Sequence, residues 1–272
     1  MIRPRSERFR TDGGVNKLPQ QSPALQTLGV LILWVGWYGF NAGSMGAVSR
    51  GRSSVAAHSM VTTTISAGAS ALTQAALAKN IHKKIDSTQI NNGILAGLVA
   101  ITACGPLVEP EGAFVVGVVA SLVLFLGSAL LLRFKIDDVV NASPVHFMCG
   151  MWGMIAASLF ATKPYYTFVY SADIFQDQER QDQCCGAFYG CGAKLLGANV
   201  VVIIAICLWT GIFSCLTLFI IKHTIGLRVP LSVEVMGMDR YGMKNSIQVW
   251  SVITLWHLPV FKNICEHFTY TF

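Results

Sequence analysis

The chain has 272 residues, of which 53% are hydrophobic and 12% charged. Soluble domains carry about 25% charged residues, so this balance excludes a soluble fold and predicts a membrane protein. The formal net charge of +6 comes from basic residues in short stretches between apolar segments. That distribution is typical of membrane-topology signals rather than of a basic surface, so no nucleic-acid partner is expected.

The apolar segments predict an all-α polytopic membrane protein with about six transmembrane helices in contact with lipid. Residues 1–23 form a basic polar lead without a secretory signal, residues 24–222 hold the membrane domain, and residues 223–272 form a tail. The predicted spans are residues 26–46, 55–78, 92–107, 112–132, 139–161 and 195–221.

The distribution of the basic residues predicts the orientation. Six spans place both termini on one side, where fifteen of the 20 basic residues lie, so we expect both termini and the tail to be cytoplasmic. The loop 163–194 is then extracellular, on the oxidising side, and it contains three cysteines, Cys184, Cys185 and Cys191. A disulfide such as Cys185 with Cys191 can form there, which would leave the third cysteine as a free thiol. The eight cysteines lack metal-ligand spacing, so no metal site is expected.

The first span presents two patterned faces. A line of small residues comprises Gly36, Gly39, Gly43 and Gly46. Such a stripe allows another helix backbone to approach closely in lipid. A second line comprises Leu33, Trp37, Phe40 and Ser44. Two interpretations stay open: helix packing, which is the commoner reason for such stripes, or a narrow apolar passage with a polar mouth.

His146 is the ionisable residue that stands out in the middle of a predicted span. Small residues follow it at i+4, i+7 and i+11, namely Gly150, Gly153 and Ala157. We therefore expect the imidazole to point inward, against protein rather than lipid. Two interpretations are equally compatible with this position: a functional site, for a small polar solute or a proton relay, and a histidine capped by a backbone carbonyl. His58, near the end of its span, is interpreted as interfacial.

Three stretches resemble the ammonium transporter family, over roughly residues 8–240. They are the run from Gly36 to Ser44, the run from Asn92 to Ala103, and Asp137-Asp138 followed by His146 and Cys149-Gly150. The resemblance is to a eukaryotic-type member and to its second half only, helices six to eleven. It implies the second inverted repeat plus the last helix of that fold, in a subunit that forms trimers.

The resemblance also implies residue roles. Phe40 matches an aromatic gate, Ser44 matches the hydroxyl of the outer recruitment site, and His146 matches the second of two paired pore histidines. With Trp37 of the aromatic line they form the predicted substrate pathway. The implied function is conduction of ammonium or ammonia through a hydrophobic, histidine-containing pore in the plasma membrane, without a cofactor. An enzyme is not expected, because no nucleophile, base and orienting residue occur as a set.

The sequence also departs from the family pattern. Phe147 follows His146 where a small residue is usual, and the first repeat, with the partner histidine, is not among the 272 residues. We therefore expect a truncated transporter that conducts poorly alone. The alternative is a non-transporting regulatory or interaction subunit that assembles with full-length ammonium transporters.

Overall fold

The computed structural model describes residues 4–16, 21–45, 49, 52–170, 185–237 and 241–242. The helices are α1 (Pro23–Gly43), α2 (Arg52–Leu77), α3 (Ser87–Thr102), α4 (Pro110–Arg133), α5 (Cys149–Phe160), α6 (Lys163–Tyr170), α7 (Lys194–Thr224) and α8 (Leu231–Met236). A π-helical turn (Ala78–His82) extends α2, another (Ser143–Met148) precedes α5, and a short 3-10 turn covers Ala187–Tyr189. No strand occurs among these residues.

The prediction of an all-α membrane fold is confirmed, and a helix lies in each of the six predicted spans. Within the described residues, four segments are long and apolar enough to cross a membrane by length and composition: Pro23–Gly43, Pro110–Arg133, Ser143–Phe160 and Lys194–Thr224. The other two helices differ from these for separate reasons. α2 is rich in serine and threonine, and α3 has only 16 residues.

The third span begins earlier than predicted. Asp86 caps α3 by accepting a hydrogen bond from the Thr88 backbone N–H over 2.9 Å, and the helix ends at Thr102. The predicted span 92–107 started too late because Ser87, Thr88, Gln89 and Asn91 before it look polar in sequence, although Asn91 is buried in the structure. The loop 163–194 also contains helix α6, which was not predicted.

The chain divides into two compact units, one of Val15–Cys215 and one of Met1–Gly14 with Leu216–Phe272. Glycines hold the centre of the larger unit together. A Cβ added at Gly93 or Gly97 of α3 would collide with α2, and one added at Gly117 of α4 would collide with the Ser66 backbone. Backbone contact of this kind is how helices pack tightly without a hydrophobic driving force in lipid.

Two side-chain hydrogen bonds fix α1 against α2. Asn41 donates to the Thr63 hydroxyl over 2.9 Å, and the hydroxyls of Tyr38 and Thr64 lie 2.8 Å apart. The residue number rises on one helix as it falls on the other, so α1 and α2 run antiparallel.

Two further bonds fix α1 against α3. The Trp37 indole N–H donates to the Thr102 hydroxyl over 2.9 Å, and the Asn91 amide donates to the Thr27 hydroxyl over 3.0 Å. These pairs run in the same direction along both helices, so α1 and α3 are parallel. The predicted glycine stripe of α1 is not used within this chain, because nothing lies within 4 Å of a Cβ built on Gly36, Gly39 or Gly43. Gly46 lies outside the described residues.

In the smaller unit, an ion pair links two segments that are far apart in sequence. Arg228 holds the Glu234 carboxylate through two guanidinium nitrogens, Nε at 3.0 Å and Nη2 at 2.9 Å. The same carboxylate accepts the Ser6 backbone N–H over 2.8 Å, and Arg228 also donates to the Pro4 carbonyl over 2.9 Å. The hydrogen bonds from Arg228, followed by the one from Ser6, lower the pKa of Glu234 to about 2.

Candidate substrate pathway

Trp37 of α1 contacts α3, and Phe40 lies beside Trp37 one turn further along α1. Trp37 is half-buried through its bond to Thr102 of α3, whereas Phe40 is 58% exposed. The two rings meet edge-on with centroids 6.1 Å apart. At 3.6 residues per turn, Phe40 lies about 60° round the helix from Trp37, on the side opposite Asn41 and its partner in α2. An aromatic surface is therefore displayed beside α3.

Ser44 lies one turn beyond Phe40, at the end of α1. Its hydroxyl donates to the Phe40 carbonyl over 2.7 Å, and the side chain is exposed. Because the hydroxyl already donates its proton within the helix, its oxygen can only accept further hydrogen bonds from outside α1. An N–H donor is the ligand that suits such an oxygen.

A half-buried face of α3 connects α1 to α5. Leu95, Val99 and Thr102 share this face at helical spacing. Thr102 contacts Trp37 on the α1 side, and a Cβ built on Gly150 of α5 would lie 3.9 Å from Val99 Cγ1. The wall made by α1, α3 and α5 is thus continuous.

His146 lies in the π-helical turn immediately before α5, and its side chain is exposed. The small face that follows it does pack as predicted, since Gly153 meets the Ala100 backbone and Ala157 is buried. The expectation that the imidazole itself would be packed against protein is not met within this chain. A π turn adds a residue relative to the 3.6-residue period, so the i+4 spacing does not carry His146 onto that packed face. Phe147, 51% exposed, accompanies it.

His58 is more engaged than the interfacial interpretation implied. Its Nε2 lies 2.9 Å from the Val108 carbonyl, and its ring stacks on Tyr165 of α6 with centroids 4.3 Å apart. Burial, together with the charge and hydrogen bond of Glu109 and the charge of Glu111, raises the pKa of Tyr165. These contacts attach α6 to the end of the bundle that carries Ser44, because α1 and α2 are antiparallel.

In the structure Cys185 and Cys191 form a disulfide, with Cα atoms 5.3 Å apart. The segment is tied to the bundle by backbone hydrogen bonds from Gly186 to Ala161 over 2.7 Å and from Thr162 to Leu107 over 2.9 Å. The disulfide therefore lies beside the end of α5 and closes a small loop there.

Sequence reasoning missed the buried polar groups that position α1. Asn41, 3% exposed, is bonded to Thr63, which is itself fully buried. The signal was present in α2, whose buried polar residues recur every three or four positions apart from one adjacent pair: Ser59, Thr62, Thr63, Ser66, Ser70 and Gln74. A polar stripe of this period in a helix between apolar spans indicates contact with other helices rather than with lipid.

The comparison with known sequences decides the family. The sequence model of the Ammonium Transporter Family matches residues 1–246. The chain belongs to the ammonium transporter family. It is 35% identical over 244 residues to ammonium transporter 1 member 1 of Arabidopsis thaliana, covering 87% of this chain and 47% of that protein. It is 32% identical over 252 residues to ammonium transporter 3 of Dictyostelium discoideum, covering 92% of this chain and 56% of that protein.

Solved structures of ammonium transporter relatives have the same fold. A protein described as a sensor Amt protein superposes with a TM-score of 0.74 at 27% identity, covering 88% of this chain and 53% of its own. Saccharomyces cerevisiae Mep2 superposes with a TM-score of 0.69 at 25% identity, covering 82% and 47%. The chain therefore spans about half the length of the relatives that it matches. The family resemblance predicted from sequence is confirmed, and so is the partial extent of the match.

Proposed function

We propose that this chain is an ammonium-transport polypeptide and that the wall made by α1, α3 and α5 forms one side of the path taken by ammonium or ammonia. One observation carries the proposal. Phe40 and Ser44 on α1 and His146 before α5 are all exposed, on either side of the half-buried face of α3. Large apolar surfaces with a few polar groups are typical of a pathway for a small polar solute.

Each pathway residue has a chemistry suited to this solute. The Ser44 oxygen accepts a hydrogen bond from an ammonium N–H, and the faces of Trp37 and Phe40 attract a cation. Past the rings the wall is apolar, which favours the neutral ammonia molecule over the ion. A neutral imidazole at His146 both donates and accepts a hydrogen bond, so it can hold ammonia in that apolar stretch.

A pathway needs a second wall, and we infer that another part of an ammonium transporter supplies it. Exposed polar groups such as His146 are costly when they face hydrocarbon, and the chain corresponds to about half of its relatives. These 272 residues alone are therefore proposed to conduct poorly and to work in a homo- or hetero-trimer. The proposed setting is the plasma membrane, with both termini cytoplasmic and loop 163–194 outside.

The experiment is uptake of labelled methylammonium by cells that lack their own ammonium transporters. We expect little uptake with the 272-residue chain alone, and uptake with the chain co-expressed with the amino-terminal half of a full-length relative. In that pair, His146→Ala should reduce uptake, whereas His223→Ala, at the end of α7, should not. Uptake by the chain alone equal to that of a full-length relative would contradict the need for a second wall. Uptake that His146→Ala leaves unchanged in the co-expressed pair would contradict the role of His146 in the pathway.

A second candidate function is that of a non-transporting subunit that regulates full-length ammonium transporters. The observation that favours it is the exposure of α7, along which no residue is buried in this chain. Co-purification with a full-length relative, with a change in that relative's uptake but no dependence on His146, would select this function over the first.

A further inference from the structure

The line of contact between α1, α2 and α3, called here the seam, contains the polar side chains of Trp34 and Ser70 at the same level of the bundle. Asn41 of α1 bonds to Thr63 of α2, and these helices run antiparallel. Trp34 lies seven residues before Asn41, and Ser70 lies seven residues after Thr63, so each is displaced about 10 Å in the same direction. Trp34 and Ser70 therefore face the seam at one height.

Contacts with α3 agree with this level. Trp37 bonds to Thr102 in the parallel helix α3, which places Trp34 one turn lower, near Leu98 and Val99. A Cβ built on Gly97 would lie 2.8 Å from the Ser70 Cβ, so Ser70 is also beside this part of α3. Three helices thus converge on Trp34 and Ser70.

Neither side chain has completed its hydrogen bonds. The indole Nε1 of Trp34 and the Oγ of Ser70 are both buried without a protein partner, and Ser70 is 0% exposed. Two other indole N–H groups, unlike that of Trp34, have protein partners: Trp37 donates to Thr102, and Trp152 donates to the Val116 carbonyl over 3.0 Å. A buried donor and a buried hydroxyl left unpaired are costly, and one small polar molecule can satisfy both.

We propose that Trp34 and Ser70 form an internal binding site for one small neutral molecule that both accepts and donates hydrogen bonds, either water or ammonia. The ligand accepts from the indole N–H and bonds to the Ser70 hydroxyl. A cation is not suited to this site, because an indole N–H faces it and the adjacent Ser66 hydroxyl is already used by the Gly97 carbonyl over 2.9 Å. Phe40 and His146 take no part in this site, and its occupancy does not depend on the proposed transport.

The test is nuclear magnetic resonance of the full 272-residue chain in lipid nanodiscs, with 15N in the indoles of its 6 tryptophans. Trp34→Phe identifies the Trp34 signal by its disappearance. We expect a rotating-frame cross-peak between the Trp34 indole proton and bound water, with no such peak for Trp37 or Trp152. Ser70→Ala should abolish the cross-peak, whereas Ser53→Ala, at an exposed position of the same helix, should preserve it.

An ammonium chloride titration at alkaline pH, against equal sodium chloride, distinguishes the two ligands. If ammonia binds, the Trp34 shift moves in a saturable way with free ammonia and the water cross-peak weakens. If water alone binds, both stay constant. The proposal is overturned if Trp34 shows neither a water cross-peak nor an ammonia-dependent shift, or if the signal that it shows is the same in Ser70→Ala.

Discussion

The Trp37 indole N–H donates to the Thr102 hydroxyl over 2.9 Å and thereby joins the aromatic edge of α1 to α3. Thr102 in turn donates its proton to the Leu98 carbonyl, one turn earlier in its own helix. The hydroxyl is therefore both an acceptor between helices and a donor within one. The position of Phe40, one turn beyond Trp37, depends on this hydrogen bond between α1 and α3.

Thr102→Val removes the acceptor while it preserves the shape of the side chain. The Trp37 N–H then loses its partner, which we expect to lower the free energy of unfolding by about 1–2 kcal/mol. The matched control is Thr73→Val, because Thr73 is also half-buried and donates only to its own helix, at Ala69. Unfolding by sodium dodecyl sulfate in mixed micelles measures both variants. Equal losses would show that the Trp37 bond contributes nothing.

Gly97→Ala tests the close contact between α3 and α2. The new Cβ would lie 2.8 Å from the Ser70 Cβ and 2.9 Å from the Ala67 Cα, so the helices must separate. We expect a loss of about 1–3 kcal/mol in the same unfolding assay. The control is Gly36→Ala, where nothing lies within 4 Å and alanine should gain about 0.5–1 kcal/mol of helix propensity. A loss at Gly36 that matched the loss at Gly97 would contradict the packing described here.

The ion pair of Arg228 and Glu234 predicts a pH dependence in the smaller unit. The pKa of Glu234 is lowered from 4.5 to about 2 in the folded chain. A lowered carboxyl pKa contributes stability that is complete above the unfolded value and is lost as pH falls through the folded value. The contact between the Ser6 segment and Glu234 should therefore persist at neutral pH and weaken progressively between pH 4.5 and pH 2.

Nitroxide labels at Thr11→Cys and Val229→Cys, in a chain whose other free cysteines are replaced, measure this contact by electron resonance. We expect a narrow distance distribution at pH 7 that broadens in the acid range. Glu234→Gln should broaden it already at pH 7 and remove the pH dependence. Arg228→Lys keeps the charge but loses the two-nitrogen contact with the carboxylate. Its distance distribution at pH 7 should therefore be intermediate in width between those of the unchanged chain and of Glu234→Gln. A distribution that Glu234→Gln leaves narrow would count against the ion pair.

The disulfide between Cys185 and Cys191 closes a loop of six-residue separation. Chain-entropy arguments give about 2 kcal/mol for a loop of this size, so Cys191→Ser should destabilise the end of the bundle by that order. Mass spectrometry of the alkylated, unreduced loop peptide should show the bond directly. A peptide mass that does not change on reduction contradicts it.

The helices and their glycine contacts could largely be predicted from sequence. Long apolar runs locate α1, α4 and α7 to within a few residues, and Gly93 and Gly97 of α3, four positions apart on one helix face, meet α2. These features are local and periodic, so the sequence displays them directly. The start of α3 was the exception, because it depends on an aspartate cap and on a polar first turn that leads to the buried Asn91.

What could not be predicted depends on geometry that breaks the helical period or joins distant segments. The π turn at Ser143–Met148 turns His146 away from the face that a 3.6-residue period assigns to it. The pairing of Ser6 with Glu234 spans 228 positions and leaves no local pattern. The common level of Trp34 and Ser70 depends on the register of three helices, which the hydrogen bonds of Asn41 and Trp37 set.

The polar stripe of α2 has a consequence for biosynthesis. A nascent α2 that left the translocon alone would carry the serines and threonines of its buried face, and Gln74, into hydrocarbon without the neighbouring helices that cover them here. α1 is synthesised before α2 and is apolar enough to insert into the bilayer independently. Stable insertion of α2 should therefore be delayed until α3 and α4 have been synthesised, so that α2 enters the bilayer together with α3 and α4.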